Sequence, residues 1–390
     1  MIQDNETPTG AQMPQDIAKP SALLGGLSPT DFMMAHWQKK PLLIRGAYGA
    51  LPAMLSRAEL FDWACREGVE SRLIEDKAGK WAMRKGPFTS KILSSVKTPT
   101  WTLLVQGAEV LHPAVAELLS AFRFLPDARL DDAMVSWASD GGGVGPHFDS
   151  YDVFLLQLSG TRRWQIGPQK DLRLQADMPL KLLAHFEPEE THLLGPGDML
   201  YLPPKWAHNG VAQGDDCITL SVGFKAPARG GLLGEVLLRL GEMLDDETLY
   251  SDPNQPATRE PARMPAALGD FARDAIDRVL TQPLALACAL GEVMTDPKPG
   301  VWFEAPEAPF EAVLGAGLGI RVNVKTRLLY DDGHVFINGE SYVAGGHDFE
   351  LLRQLANHQQ LGASDLGALS ADALTLVSEW YEAGWVDAQV

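Results

Sequence analysis

A chain of 390 residues can bury more than one core, and 45% apolar with 22% charged residues excludes a disordered or fibrous protein. Acids outnumber bases 51 to 33, so a net charge of −18 disfavours phosphate backbones and anionic lipid and draws cationic partners. The apolar runs are shorter than the roughly 18 residues that span a bilayer, and Cys65, Cys217 and Cys288 are too scattered for a disulfide framework or a thiolate zinc site.

The first stretch, MIQDNETPTGAQMPQD, lacks the basic start and apolar core of a secretory signal, so residues 1–20 read as the disordered leader of a cytoplasmic protein. Residues 21–130 mix amphipathic segments such as SRAELFDWACREG with strand candidates PLLIRGA and WTLLVQGA, a helical lead-in. From Asp132 to Lys225 the pattern becomes strand-length apolar runs, VFLLQL, RRWQIG, DMLYLP and CITLSVGF, separated by Gly- and Pro-bearing turns, as in a barrel or sandwich. Residues 21–227 are therefore expected to form one domain. Two amphipathic helical stretches joined by SDPNQPATREPARMPA predict a helical domain over residues 228–298. The tail, residues 299–390, carries a hairpin with an Asp-Gly turn in RLLYDDGHVFINGESYVA and helices at DFELLRQLANHQ and DALTLVSEWYEAGW, a winged-helix-like pattern.

The chemistry lies in Gly141-Gly142-Gly143-Val144-Gly145-Pro146-His147-Phe148-Asp149 and in Gly197-Asp198-Met199-Leu200-Tyr201-Leu202-Pro203-Pro204-Lys205-Trp206-Ala207-His208. On an extended segment residues two apart share a side, so His147 and Asp149 can present an imidazole and a carboxylate to one ion. His208 supplies the third ligand. Two imidazoles and a carboxylate on one side of an ion, with other positions open, suit a non-haem Fe(II) oxygenase, whereas the helical HExxH and Cys-rich zinc signals are absent. The two segments match the two-part cupin signature with two departures. Asp149 stands in place of a second histidine with no glutamate ligand following, and Lys205 stands where a generic cupin has glycine.

On GGGVGPHFDSYDVFLLQLSGTRRWQIG, GDMLYLPPKWAHNG and SVGFKAP the chain resembles the JmjC-type ribosomal oxygenases, and among them the bacterial ribosomal-protein arginine hydroxylases. The resemblance implies an α+β protein: a JmjC/cupin double-stranded β-helix barrel, a helical dimerisation region and a C-terminal winged-helix-like domain. It implies Fe(II) with 2-oxoglutarate and O2 as cosubstrates, Arg162 binding the distal carboxylate of 2-oxoglutarate, and hydroxylation of an arginine at its β-carbon on a large-subunit ribosomal protein, the sixteenth. The same chemistry on another target (histidyl hydroxylase, lysine demethylase or RNA hydroxylase) is the nearest alternative, and a non-catalytic ligand-sensing regulator is the other.

A guanidinium pairs a carboxylate bidentately, which suits Arg162, while Arg163 beside it faces the other side of its strand. Ser221 is a candidate for a further hydroxyl contact. Asp140, Tyr151 and Asp152 are candidates for holding a cationic substrate at the pocket mouth. His185 and His192 lack the Gly-strand-turn setting of a ligand. The tail from Val301 carries thirteen acids against four bases, which argues against nucleic-acid binding. A basic ribosomal protein is thus the expected partner, and the apolar face of Leu232, Leu233, Val236, Leu237 and Leu240 is expected to mediate a homodimer.

Overall fold

Nine antiparallel strands in the N-terminal half pair into one sheet: β1 (Leu42–Ile44), β2 (Ser71–Lys77), β3 (Lys80–Lys85), β4 (Thr100–Val105), β5 (Leu130–Ala138), β6 (Asp152–Pro168), β7 (Glu190–Leu194), β8 (Met199–Leu202) and β9 (Trp206–Phe224). The computed structural model describes residues 16–49, 55–96 and 99–389, so most of the expected leader lies outside the described residues. Two compact units divide at Ala226/Pro227. In the first, the strand order is β1-β8-β6-β9-β5-β4-β2-β3, with β7 added on β6. The sheet curls so that Ile74, Leu104, Met134, Leu155 and Ser221, from five different strands, line one cavity.

The lead-in is not simply helical. Strands β1 to β4 lie within it, and β2 and β3 form a hairpin about Ala78 and Gly79, both at positive φ (54° and 85°). Ala-Gly is a weak turn signal beside Asn-Gly, which hides this hairpin in the sequence. Helices α1 (Pro29–Ala35), α2 (Arg57–Trp63), α3 (Ser90–Ser94), α4 (Ala108–Leu111) and α5 (Pro113–Ser120) complete the unit. A Ser56/Glu59 capping box starts α2. Phe32, Leu60, Trp63, Leu93 and Leu118 pack with Phe154, Leu156, Tyr201 and Phe224 in the main core. Each such side chain contributes roughly 1.5–3 kcal/mol by leaving water.

VFLLQL and RRWQIG are one strand, β6, buried on both sides. Phe154 and Leu156 enter the main core, while Val153 and Leu155 turn to the other side. Past Gly160, at φ 65°, the parity changes: Arg162 and Trp164 face the cavity with Val153 and Leu155. The register against β9 shifts twice between Gln157 and Thr161. A bulge adds a residue to one strand and so exchanges the faces beyond it. Strand β9 changes in step, with His208 and then Thr219 and Ser221 facing inward.

The second unit contains α6 (Arg229–Glu242), α7 (Ala266–Thr281), α8 (Ala285–Thr295), α9 (Phe310–Gly315), β10 (Ile320–Val322), β11 (Leu328–Tyr330), β12 (His334–Ile337), β13 (Glu340–Val343), α10 (Gly346–His358), β14 (Gln360–Leu361), α11 (Ala363–Leu366), α12 (Ala371–Glu382) and β15 (Val386–Ala388). The expected single hairpin is a three-stranded sheet, β11-β12-β13. Its second turn is Asn338-Gly339, with φ of 48° and 88°, the pair of left-handed residues that a tight hairpin needs. A second sheet orders β14-β10-β15. Helix α8 belongs to both halves of this unit: its Glu292 is 3.6 Å from Arg239 of α6 and accepts from Ser341 of β13 at 2.6 Å. The Phe336 ring lies directly on Gly291, where a Cβ would come within 2.3 Å of it.

Candidate metal centre and its cavity

His147 and Asp149 sit on the loop that enters β6, and His208 sits near the start of β9. The two histidines are joined through the backbone, with His147 N–H donating to His208 O (3.0 Å) and His208 N–H to His147 O (2.8 Å). This pairing brings together two motifs sixty residues apart. The Lys205 N–H donates to Asp149 O at 2.7 Å, and Lys205 holds φ 64°, the left-handed conformation that explains glycine at this position in generic cupins. Gly145, at φ 77°, lies under Leu182, whose methyl leaves no room for a Cβ.

One ligand atom from each of His147, Asp149 and His208 lies within 4.8 Å of the others. The Asp149 Oδ2 is 3.9 Å from His147 Nε2 and 3.6 Å from His208 Nε2. Both Nδ1 atoms are engaged, His147 with Gly145 O at 2.9 Å and His208 with Trp206 O at 3.0 Å. A carbonyl only accepts, so each Nδ1 carries the proton and each Nε2 offers its lone pair toward Asp149. Burial, reinforced by the neighbouring His147, holds the His208 pKa below its ordinary value, which keeps that lone pair available at neutral pH. The donor set fits a divalent first-row metal with one side open to the cavity.

The cavity measures about 230 Å³ and reaches from the triad to Arg162 and Ser221. Arg162 is 3% exposed, and its Nε and Nη2 have no hydrogen-bond partner among the described residues. A buried guanidinium with unmet donors calls for an anion. Ser221, 9% exposed, lines the same space. Tyr151 also lines it, and its phenol is pushed well above its ordinary pKa, first by burial and then by the field of Asp149, Asp132 and Asp131.

Two expected substrate contacts lie elsewhere. Asp152 is fully buried on the opposite side of β6, where its carboxylate accepts from Tyr201 Oη (2.6 Å), Gln38 Nε2 (2.9 Å) and Arg129 Nη2 (3.1 Å). It alternates with Tyr151, so when one faces the cavity the other cannot. Asp140 is exposed in the turn after β5 and does not line the cavity; its Oδ1 accepts from Gly214 N–H at 2.7 Å. Besides Asp149 of the triad, Asp131 and Asp132 on β5 line the cavity, with Asp131 3.4 Å from Lys225 and Asp132 accepting from Gln106 at 3.2 Å. An Asp-Asp pair entering an apolar strand was the available signal, and a register shift in β5 between Leu130 and Ala133 lets both reach the cavity. His185 is exposed, and His192 pairs with Glu190 at 2.9 Å, so neither joins the triad.

The JmjC domain family matches residues 117–232, and a ROXA-like winged helix family matches residues 278–387, which includes α8. The chain is 34% identical over 284 residues to the ribosomal protein uL16 3-hydroxylase of Escherichia coli, covering 72% of this chain and 75% of that protein. It is 34% identical over 218 residues to a probable ribosomal oxygenase of Haemophilus influenzae, covering 53% and 52% of the two chains. The crystal structure of E. coli YcfD superposes with a TM-score of 0.80 at 31% identity over 92% of this chain and 98% of that one. A YcfD structure in complex with cobalt and 2-oxoglutarate matches with a TM-score of 0.78 at 31% identity, over 93% and 99%. No helix of the described residues is long and apolar enough to cross a membrane. With this extent of identity, a matching fold over nearly the whole chain and the ligand cluster in place, the chain belongs to the JmjC-domain ribosomal oxygenases.

Proposed function

We propose that this protein is an Fe(II)- and 2-oxoglutarate-dependent hydroxylase of an arginine side chain on ribosomal protein uL16, with His147, Asp149 and His208 as the iron ligands. The observation that carries the reading is one cavity holding both an open two-histidine, one-carboxylate cluster and a buried arginine with unmet donors. Iron bound there, with the oxo acid and O2, supplies the oxidising chemistry. The protein's own groups do the rest. The carbonyls of Gly145 and Trp206 hold both imidazoles in the ligating tautomer, Arg162 and Ser221 hold the distal carboxylate, and the apolar wall of Val153, Leu155 and Trp164 limits water.

The substrate side is supported by charge. Asp131 and Asp132 give the cavity an acidic wall beside Tyr151, suited to a guanidinium, and the net charge of −18 steers a basic ribosomal protein toward it. Such a substrate puts the enzyme in the cytoplasm. A homodimer through the helical segment 229–298 completes the proposal: Leu233, Leu237, Leu238, Ile276 and Leu280 are exposed on α6 and α7, a run of surface leucine and isoleucine that asks for cover.

The test is incubation of the protein with Fe(II), 2-oxoglutarate and uL16 peptides carrying the candidate arginine or lysine in its place, with mass spectrometry for the gain of one oxygen. Oxidation of the arginine peptide alone is expected. Equal oxidation of both, or oxidation of a histidine peptide only, overturns the arginine assignment and leaves the oxygenase chemistry standing.

A further inference from the structure

Beside Arg162, the same inward side of β6 carries a second buried donor without an acceptor. Trp164 is 5% exposed, and its indole Nε1 has no hydrogen-bond partner among the described residues. It stands between the two ends of the cavity: the Arg162 guanidinium carbon is 5.7 Å from its ring, and its ring centre is 5.8 Å from that of His208. The six-membered ring lies against Gly210 of β9, where a Cβ would come within 2.5 Å of it. Glycine at this position makes room for the indole and fixes its plane, with the pyrrole edge away from the β9 backbone. The buried side chains packed with it in this part of the core, Val153, Leu155, Ile166, Leu194, Leu200 and Leu202, have no acceptor, and the phenol oxygen of partly buried Tyr151, which packs against the same cluster, does not accept from the indole.

A buried tryptophan N–H normally finds a partner, and a cavity-lining one left unmet points to an oxygen of whatever fills the cavity. Residues two apart on a strand are separated by about 6.6 Å, close to the span of a five-carbon dicarboxylate from one carboxylate toward the other. We propose that Trp164 is a further cosubstrate-binding residue, its indole N–H donating to an oxygen of the bound 2-oxo dicarboxylate between Arg162 and the triad. This rests on the cosubstrate reading above and adds a donor to it. It also gives Gly210 a function, since an alanine there displaces the indole.

The experiment uses the full chain loaded with Zn(II), which is diamagnetic and does not turn over, with tryptophan labelled by 15N. The Trp164 indole signal is identified by its loss in Trp164→Phe or, should that variant not fold, as the signal broadened by Mn(II) in place of Zn(II) that persists in Trp206→Phe, because Trp164 and Trp206 both flank His208. On addition of 2-oxoglutarate that signal is expected to move downfield and its hydrogen exchange to slow. By calorimetry, Trp164→Phe is expected to weaken 2-oxoglutarate binding by about tenfold, as for loss of one charge-assisted hydrogen bond, with Zn(II) affinity unchanged. Binding of 2-oxoglutarate to the native protein with an unmoved Trp164 signal, or with equal affinity in a folded Trp164→Phe, overturns the proposal. Failure of the native Zn(II) protein to bind 2-oxoglutarate at all overturns the cosubstrate reading itself.

Discussion

At the triad each ligand is one third of the protein's hold on the metal, and its neighbours cannot substitute for it. His147→Ala, Asp149→Ala and His208→Ala are each expected to abolish 2-oxoglutarate turnover and metal uptake, while His185→Ala keeps both; a decarboxylation assay with metal analysis checks this. Arg162→Ala removes the buried cation and is expected to raise the 2-oxoglutarate requirement at least tenfold with metal binding intact, consistent with about 1.5–3 kcal/mol for a charge-assisted contact. An unchanged requirement would shift the role to Lys181, which also lines the cavity. Asp132→Asn is expected to raise the KM for the arginine peptide several-fold while leaving the KM for 2-oxoglutarate alone, and Asp140→Asn to change neither. Steady-state kinetics with each substrate varied separately distinguishes them.

At the scale of elements, β6 carries two jobs on two sides. Its outer side holds Asp152 among Tyr201, Gln38 and Arg129, tying the lead-in, β8 and the approach to β5 to the end of the metal-binding loop. Asp152→Ala leaves a buried tyrosine hydroxyl and a part-buried arginine without their acceptor. It is expected to destabilise the N-terminal unit by about 3–5 kcal/mol, measured by urea denaturation. A raised substrate KM at unchanged stability would instead return Asp152 to the pocket. Its inner side carries Arg162 and Trp164, and the bulge after Gln157 decides which of two adjacent arginines enters the cavity. Counting in steps of two from Val153 selects Arg163; the resemblance pointed to Arg162, and the extra residue in the strand is why that choice agrees with the cavity lining.

At the scale of the whole molecule, charge and assembly are the observables. Steering by a net charge of −18 is screened by salt, whereas 2-oxoglutarate held in a buried cavity is less so. The leucine face of α6 divides: Val236 and Leu240 pack against Val279 and Ala289 within the chain, while Leu233 and Leu237 remain exposed. Leu233→Glu with Leu237→Glu is therefore expected to leave folding intact and convert a dimer to a monomer by light scattering. A native protein that is already monomeric at micromolar concentration sinks the dimer.

The sequence by itself determined the ligand cluster and the succession of elements. An HxD pair on an extended segment can only share a side, a glycine-rich approach and a double-proline turn bracket short strands wherever they occur, and helical periodicity survives translation into α6, α10 and α12. These are local rules, and local residues obey them. Tertiary structure alone decided that Asp131 and Asp132 line the cavity while Asp152 and Asp140 do not. It also decided that the lead-in adds the hairpin β2-β3 to the strands read in PLLIRGA and WTLLVQGA, and that Trp164 lies against Gly210 with its N–H unmet among the described residues. Which face of a strand is inside depends on bulges and on partners far along the chain, and a one-residue shift in register exchanges every side chain between the two faces.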